Sequence, residues 1–549
     1  MRRESISALP GLLALLLCAA AGRAAAAAGA PALARPAQDC LTPAVARVSE
    51  FNFFPEDYRS VIAAPRPPVE PGTTVTDAAD FSIDYFGTYK VVTARRFNAT
   101  YVLYQCGTPD PTKLPPGAAE GVPRGAASFE IPLYSVAVTD TTVNGFLSEL
   151  GLVDRVALAS PYSVGDCFLR LADSTDGCGL AVPDSYVDPS DAAAAARARG
   201  AEAAMANATD AVFRGFEGKG PKDILFPATA DPGPLNRAEW VKYVAAFFNK
   251  EVQANALYAE IKDAYDRLKA LAQSKRPPGP RPRVAWVSAN ASGVSFRLDA
   301  YKTALLEDAG GAPFDRAALE AAGAALSSDP TFGTAAAFLP LGGDGLAALL
   351  AQAAVVIDET YHPAPPAPGA VAASLGFASL PAAAAAVPAF GRGAVFRLEG
   401  EASPAGGSGW FEGAVARPDW VLADLVRAVN PETAAANSLA SQSPAGEDFN
   451  FLTQVGAPGA LGATRTTSAA ACTAVPSCTR RAAAAICPNA YRDCATGKLR
   501  AADPEKRCAT WSACELGAPA AGNSARAAGA TAAAGAAVAA AAGAVLALV

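Results

Sequence analysis

Between Phe81 and Cys106 the chain alternates apolar and polar positions. FSIDYFGTYKVVTA reads as two strands turning about Gly87, and Tyr101 to Gln105 as a third strand. An apolar run, IPLYSVAVTD, then leads into TTVNGFLSELGL, where Phe146, Leu147 and Leu150 recur at helical spacing, and RVALAS follows as a second apolar run. Strand, helix and strand with short connections form a βαβ unit, which predicts a parallel sheet. From Leu235 to Arg276 there is neither proline nor glycine, and Trp240, Val244, Phe247, Phe248, Val252, Ile261, Tyr265, Leu268 and Leu271 fall mostly at three- and four-residue steps. The spacing predicts a helix over 236–276, with Asn236 as N-cap and Glu239 completing a capping box. Unbroken, it spans roughly 50–60 Å at 1.5 Å per residue; the alternative is two helices broken near Gln253 to Asn255. PPGPRP at 277–282 ends it.

After that stop the strand and helix texture returns. RVAWVSA reads as a strand, and SFRLDAYKTALLEDAGG as a strand and a helix closed by Gly310 and Gly311. DGLAALLAQAAVVIDETYH gives a helix and then a strand, Val355 to Asp358. GAVFRL is another strand, and RPDWVLADLVRAVNPE a last helix stopped at Asn430-Pro431. The expected fold class is α/β: two Rossmann-like lobes with parallel sheets, over 81–235 and 281–435, joined by the long helix.

The ends add processing signals. Arg2 and Arg3 precede an apolar stretch, Leu9 to Ala21, and small residues follow around Arg23 to Ala28; 1–28 reads as a secretory signal peptide. An Ala/Pro-rich arm occupies 29–80. Beyond a linker at 436–470, six cysteines (Cys472, Cys478, Cys487, Cys494, Cys508 and Cys514) crowd into 471–515, and Cys40, Cys106, Cys167 and Cys178 lie upstream. In an exported chain these ten are disulfide candidates, with connectivity open. Zinc is disfavoured because no CxxC occurs and the one histidine, His362, is distant. The uncharged tail from Ala527 to Val549, after small residues at Gly522, Asn523 and Ser524, fits a removable GPI signal over 523–549. Sequons at Asn98, Asn207 and Asn290 suit a glycosylated surface protein. A net charge of −7 without a basic stripe disfavours nucleic acid as a partner.

FSIDYFGTYKVVTA, SVAVTDTTVNGFLSELGLVDRVALAS, PLNRAEWVKYVAAFFNKE, VVIDETY and RPDWVLADL, in this order, resemble the class III periplasmic binding proteins over roughly 80–435. The resemblance implies two lobes on a rigid linking helix and a cleft for a ferric siderophore, haem or cobalamin. It also implies delivery to a membrane transporter or receptor, which in bacteria is an ABC permease docked through surface carboxylates; Glu149 is the candidate docking residue. No cofactor and no catalysis are expected. No G-x-S-x-G elbow, Walker loop, H-E-x-x-H or G-x-G-x-x-G helix start is present, and one histidine leaves one possible triad base. The alternative is a structural or adhesion protein that keeps the fold without transport.

Independently, parallel sheets bind ligands beyond the C-terminal ends of their strands. That rule selects Thr139, Asp140 and Thr141 (with Thr142), Ser160 and Tyr162 in the first lobe. In the second it selects Ser288, Phe296, Arg297, Glu359, Tyr361 and His362, with Trp410, Phe411 and Glu412 as a rim. Each has a plainer reading. Thr139 to Thr142 can cap a helix, Tyr361 and His362 can be an ordinary loop aromatic and a surface histidine, Trp410 and Phe411 can be core or a bilayer-facing patch, and Asp358 can cap a turn beside a solvated Glu359.

Overall fold

The computed structural model describes residues 73–472 apart from 87–88, 116–118, 174–177, 179, 184–191, 219, 276–277, 363–365, 438–448 and 456–463, together with 490–492 and 499–501. The expected signal peptide and GPI signal, most of the arm and most of the cysteine-rich stretch therefore lie outside the described residues.

The first lobe opens with β1 (Phe81–Tyr85), β2 (Tyr89–Ala94), β3 (Ala99–Gln105) and β4 (Ala127–Ile131), a sheet in that order whose last pair is parallel. The predicted βαβ unit is present as β5 (Val136–Val138), α1 (Thr142–Glu149) and β6 (Val156–Leu158). After α2 (Asp166–Ala172) and α3 (Ala192–Ala208) come β7 (Ala211–Arg214) and β8 (Asp223–Leu225). These strands form an all-parallel sheet in the order β6-β5-β7-β8. Val136, Val138 and Phe213 of its strands join Phe146 and Leu147 of α1 in one core, which accounts for the near-continuous apolar runs that mark these segments.

The predicted long helix is three: α4 (Pro234–Ala238), α5 (Trp240–Ala246) and α6 (Glu251–Ser274). The main break falls at Phe247–Lys250, upstream of Gln253, where Asn249 takes a left-handed φ of 53° that asparagine tolerates better than most residues. Lys90 of β2 fills this corner. Its Nζ donates to Ala246 O and Asn249 Oδ1, both at 2.8 Å, and pairs with Glu251. Burial lowers the Lys90 pKa and the Glu251 carboxylate opposes that shift. The predicted capping box is corrected as well. Pro234 stands at the first turn of α4 after Gly233, while the Glu239 carboxylate accepts backbone N–H bonds from Thr76, Asp77 and Ala78 at 2.6–3.0 Å. It anchors the incoming arm instead of a helix end.

At 1.5 Å per residue α6 runs for about 36 Å, and one stripe of it serves two cores. Ala254, Tyr258 and Ile261 pack into the first lobe; Tyr265, Leu268 and Ala272 pack into the second. A single 3.6-residue periodicity thus ties both lobes to one rigid rod.

The second lobe is built on β9 (Arg283–Asn290), β10 (Gly293–Arg297), α7 (Ala300–Asp308), β11 (Ala312–Pro313), β12 (Ala325–Asp329), β13 (Thr334–Pro340), α8 (Asp344–Leu350), β14 (Val355–Asp358) and β15 (Val395–Arg397). After β16 (Glu401–Ala402), helix α9 (Pro418–Val429) packs on α6, and β17 (Thr453–Gln454) and β18 (Arg465–Thr466) follow. The sheet order is β12-β13-β10-β9-β14-β15-β17, with β11 beside β9. Only β9, β11, β14 and β15 run parallel. The β9–β10 and β12–β13 hairpins and β17 make the sheet mixed, where a parallel one was expected. Short hairpin turns gave the sequence pattern no helix-length crossover to mark them.

The links that join the lobes besides α6 include a buried carboxylate and a disulfide. Buried Glu412, beyond the second-lobe sheet, accepts N–H bonds from Val164 and Gly165, both at 2.7 Å, and from Asn144 Nδ2 at 3.2 Å, all first-lobe groups. The chain then returns from β18 to place Cys472 on Cys167 of α2 in a disulfide. Among the other candidates, Cys106 and Cys178 are also disulfide-bonded; Cys40, Cys478, Cys487, Cys494, Cys508 and Cys514 lie outside the described residues.

Burial pushes the Glu412 carboxyl from 4.5 up to about 7, against the N–H bonds that favour its charged form. A carboxyl whose folded pKa is raised holds its proton in the native state while the unfolded chain has lost it. Stability from this group is therefore greatest below pH 4.5 and falls as pH rises to about 7. The drop is at most about 3 kcal/mol. Thermal melts from about pH 5 to about pH 8 should show the wild type losing more stability than Glu412→Gln. Parallel pH curves for the two proteins would contradict the assignment. Asp424 of α9, raised by burial to about 6 while it accepts N–H bonds from Asn450, Phe451 and Leu452, shifts both curves alike.

Candidate functional site

Beyond the C-terminal ends of β5, β6 and β7 lies a cavity of about 710 Å³. Thr139, Asp140 and Thr141 after β5 and Ser160, Pro161 and Tyr162 after β6 form two of its sides. Thr139 donates through Oγ1 to Phe213 O at 3.0 Å, tying the β5 end to β7. Asp140 Oδ1 accepts the Thr142 N–H at 2.9 Å, so the turn both starts α1 and faces the cavity. The expected threonine cap is absent: Thr141 at the N-cap makes no side-chain cap bond, and Asp140 takes the first-turn N–H instead.

The third side, after β7, was missed in the sequence. Arg214, Gly215, Phe216 and Glu217 line it, with Glu202 of α3 and Val182 and Pro183 nearby. AVFRGFEG carried the signal: a short apolar run stopping at a glycine, to which the strand-end rule applies directly. Arg214 is buried and doubly held, Nη2 by Glu202 at 2.6 Å and Nε by Asp223 at 2.8 Å. Gly215 allows the closest approach. A Cβ there would stand 2.3 Å from Asp140 Oδ2. The second lobe supplies Phe332, from the β12–β13 turn, whose ring meets Phe216 edge-on at 4.9 Å. That contact joins residues more than a hundred positions apart, and no local pattern foretells it.

The other second-lobe candidates do not line this cavity. Phe296 is buried in the core against Phe314. Trp410 is buried against Trp286 at 5.4 Å, with Tyr301 and Phe451 around it, so its plainer reading holds. Glu359 is not solvated: it pairs with Arg297 and with Lys302 at 2.9 Å, and accepts the Trp286 Nε1–H at 2.9 Å. Asp358 holds the Thr360 N–H at 3.0 Å and pairs with Arg397, a turn cap as expected. Ser288 is half-buried on β9, opposite Ser295 of β10. Tyr361 is 80 % and Phe411 59 % exposed, and Glu149 pairs with Arg417 at 3.3 Å. The side chains of Asn98, Asn207 and Asn290 are all exposed. Among the described residues no group of three or more His, Cys, Asp or Glu side chains could hold a metal ion, and no helix is long and apolar enough to cross a membrane.

No protein-family profile and no curated protein matches the chain. Solved structures similar to it include a periplasmic heme-binding protein from Pseudomonas aeruginosa, at 16% identity and a TM-score of 0.34, covering 55% of this chain and 93% of that one. A second is Helicobacter pylori CeuE with Ni(II) bound, at 12% and 0.36, covering 57% and 89%. A third is the petrobactin-binding protein YclQ from Bacillus subtilis, at 13% and 0.34, covering 55% and 92%.

Proposed function

We propose that this chain is a secreted solute-binding protein that captures one small ligand in the cavity where the first-lobe strand ends meet Phe332 of the second lobe. The observation that carries the reading is the cavity itself. Loops following three parallel strands converge on about 710 Å³, within the size range of small-molecule sites, at the place where open parallel sheets bind ligands. The cargo in this reading is a metal chelate or corrinoid of the ferric-siderophore, haem or cobalamin type. The protein is a glycosylated, GPI-anchored cell-surface component that passes its cargo to a membrane transporter or receptor. Its role is binding and not catalysis. The ties between the lobes, among them α6, Glu412 and Cys167–Cys472, favour a ligand that enters with little domain movement.

Calorimetric titration of the purified secreted protein with ferric hydroxamates, ferric catecholates, haem and cobalamin tests the proposal. The expected result is saturable one-to-one binding by one class and none by the metal-free chelators. Flat responses from a folded, disulfide-intact sample would overturn it in favour of the structural or adhesion reading.

A further inference from the structure

The charges on the cavity wall narrow the ligand class. Three carboxylates (Asp140, Glu202 and Glu217) face one guanidinium, Arg214. That cation is already spent, since Glu202 and the buried Asp223 both hold it. Asp140 has only the Thr142 N–H on Oδ1, and among the described residues neither Asp140 nor Glu217 makes an ion pair. The rest of the lining is polar but uncharged at Thr139, Thr141 and Ser160, and apolar or aromatic at Pro161, Val182, Pro183, Phe216, Phe332 and the half-exposed ring of Tyr162. Low-dielectric walls around excess negative charge concentrate a negative potential inside a cleft. Aromatic faces add attraction for a cation lying over them.

On the second lobe, Arg297 and Lys302 do not offset this charge. Neither lines the cavity, and Glu359 holds both. A polyanionic ligand would find no uncommitted guanidinium or ammonium among the described lining residues, and would pay for placing its charge against Asp140 and Glu217.

We propose that the cavity selects a ligand with a fixed positive charge on an apolar or planar body, such as a metal chelate bearing a free ammonium group. It excludes polyanions, and Asp140 and Glu217 determine that choice. The inference rests on the cavity being the binding site, as proposed above.

The test uses the full secreted protein and three probes: a linear ferric trihydroxamate with a free terminal ammonium, the same chelate N-acetylated at that group, and a ferric tris-catecholate trianion. The first two share iron, donor set and length and differ by one charge. The ammonium form should bind at least about tenfold more tightly than the acetylated form at low salt, and the advantage should shrink as salt shortens the screening length. The trianion should bind weakest. In Asp140→Asn/Glu217→Gln the ratio of the two affinities should fall to about twofold or less. Equal binding of the two hydroxamates, or tighter binding of the trianion, overturns the charge proposal while leaving the cavity as a binding site. No binding of any of the three overturns the charge proposal, and flat haem and cobalamin titrations beside it overturn the cavity reading as well.

Discussion

Serine at both Cys167 and Cys472 should cost the protein roughly 3–5 kcal/mol of stability. The bond closes a sequence separation of 305 residues, and the entropy it removes from the unfolded chain grows with the logarithm of the loop. Chain entropy alone gives about 5–6 kcal/mol for a loop of that size. Measured disulfides deliver less, and the bonds at Cys106 and Cys178 already restrict the unfolded chain, hence the lower range. The bond is also one of few links between the lobes, with Ser468 N–H donating to Asp166 at 2.8 Å beside it. Urea unfolding of the wild type and the double-serine variant, both under oxidising conditions, measures the loss. A change below about 1 kcal/mol would mean that the other links suffice to fix the lobes without the disulfide.

The second large effect lies within the first lobe, at the corner between α5 and α6. Lys90→Met should destabilise by about 3–5 kcal/mol, because it leaves the Glu251 carboxylate buried without its ammonium partner. Methionine keeps the length and apolar stem, so little of the loss comes from packing. The lysine also holds Ala246 O and Asn249 Oδ1, the groups freed where α5 breaks from α6. Replacing both charges, Lys90→Met with Glu251→Met, should recover much of the stability, since removing a buried pair together costs far less than removing one member. Denaturant midpoints of the single and double variants decide this. A single variant as stable as the wild type would show that the pair does not secure the α5–α6 corner.

Much of this architecture was legible because its elements carry strong periodic signals. Val355–Asp358 appeared as a strand, and the stripe from Ile261 to Leu268 as a helix face, because the residues that bury are those that recur. The break at Asn249 was not legible. Phe247 and Phe248 continue the apolar pattern through it, and a single left-handed asparagine leaves no composition change. Asn236 and Glu239 matched a capping box in spacing, yet Glu239 was claimed by the N–H groups of Thr76 to Ala78, a contact across more than 160 residues.

The cavity divides in the same way. Thr139, Asp140, Thr141, Ser160 and Tyr162 followed from the rule about parallel strand ends, which needs only local strands. Arg214 to Glu217 would have followed from the same rule applied to Ala211–Arg214. The second-lobe choices lie away from this cavity, and Glu359 shows one physical reason: a strand end rich in charge is as easily satisfied internally, here by Arg297, Lys302 and Trp286, as by a ligand. Trp410 met Trp286 and Phe451 in the core, where a large aromatic finds most of its stabilisation.

The most direct measurement is calorimetric binding to Gly215→Val beside the wild type, using whichever chelate the wild type binds. The three atoms nearest a Cβ at 215 all belong to Asp140, so the fold should survive while the added side chain fills part of the cavity and displaces that carboxylate. The account predicts a loss of at least about tenfold in affinity with an unchanged melting profile. Undiminished binding by a folded Gly215→Val protein would place the ligand elsewhere and contradict the assignment of this cavity.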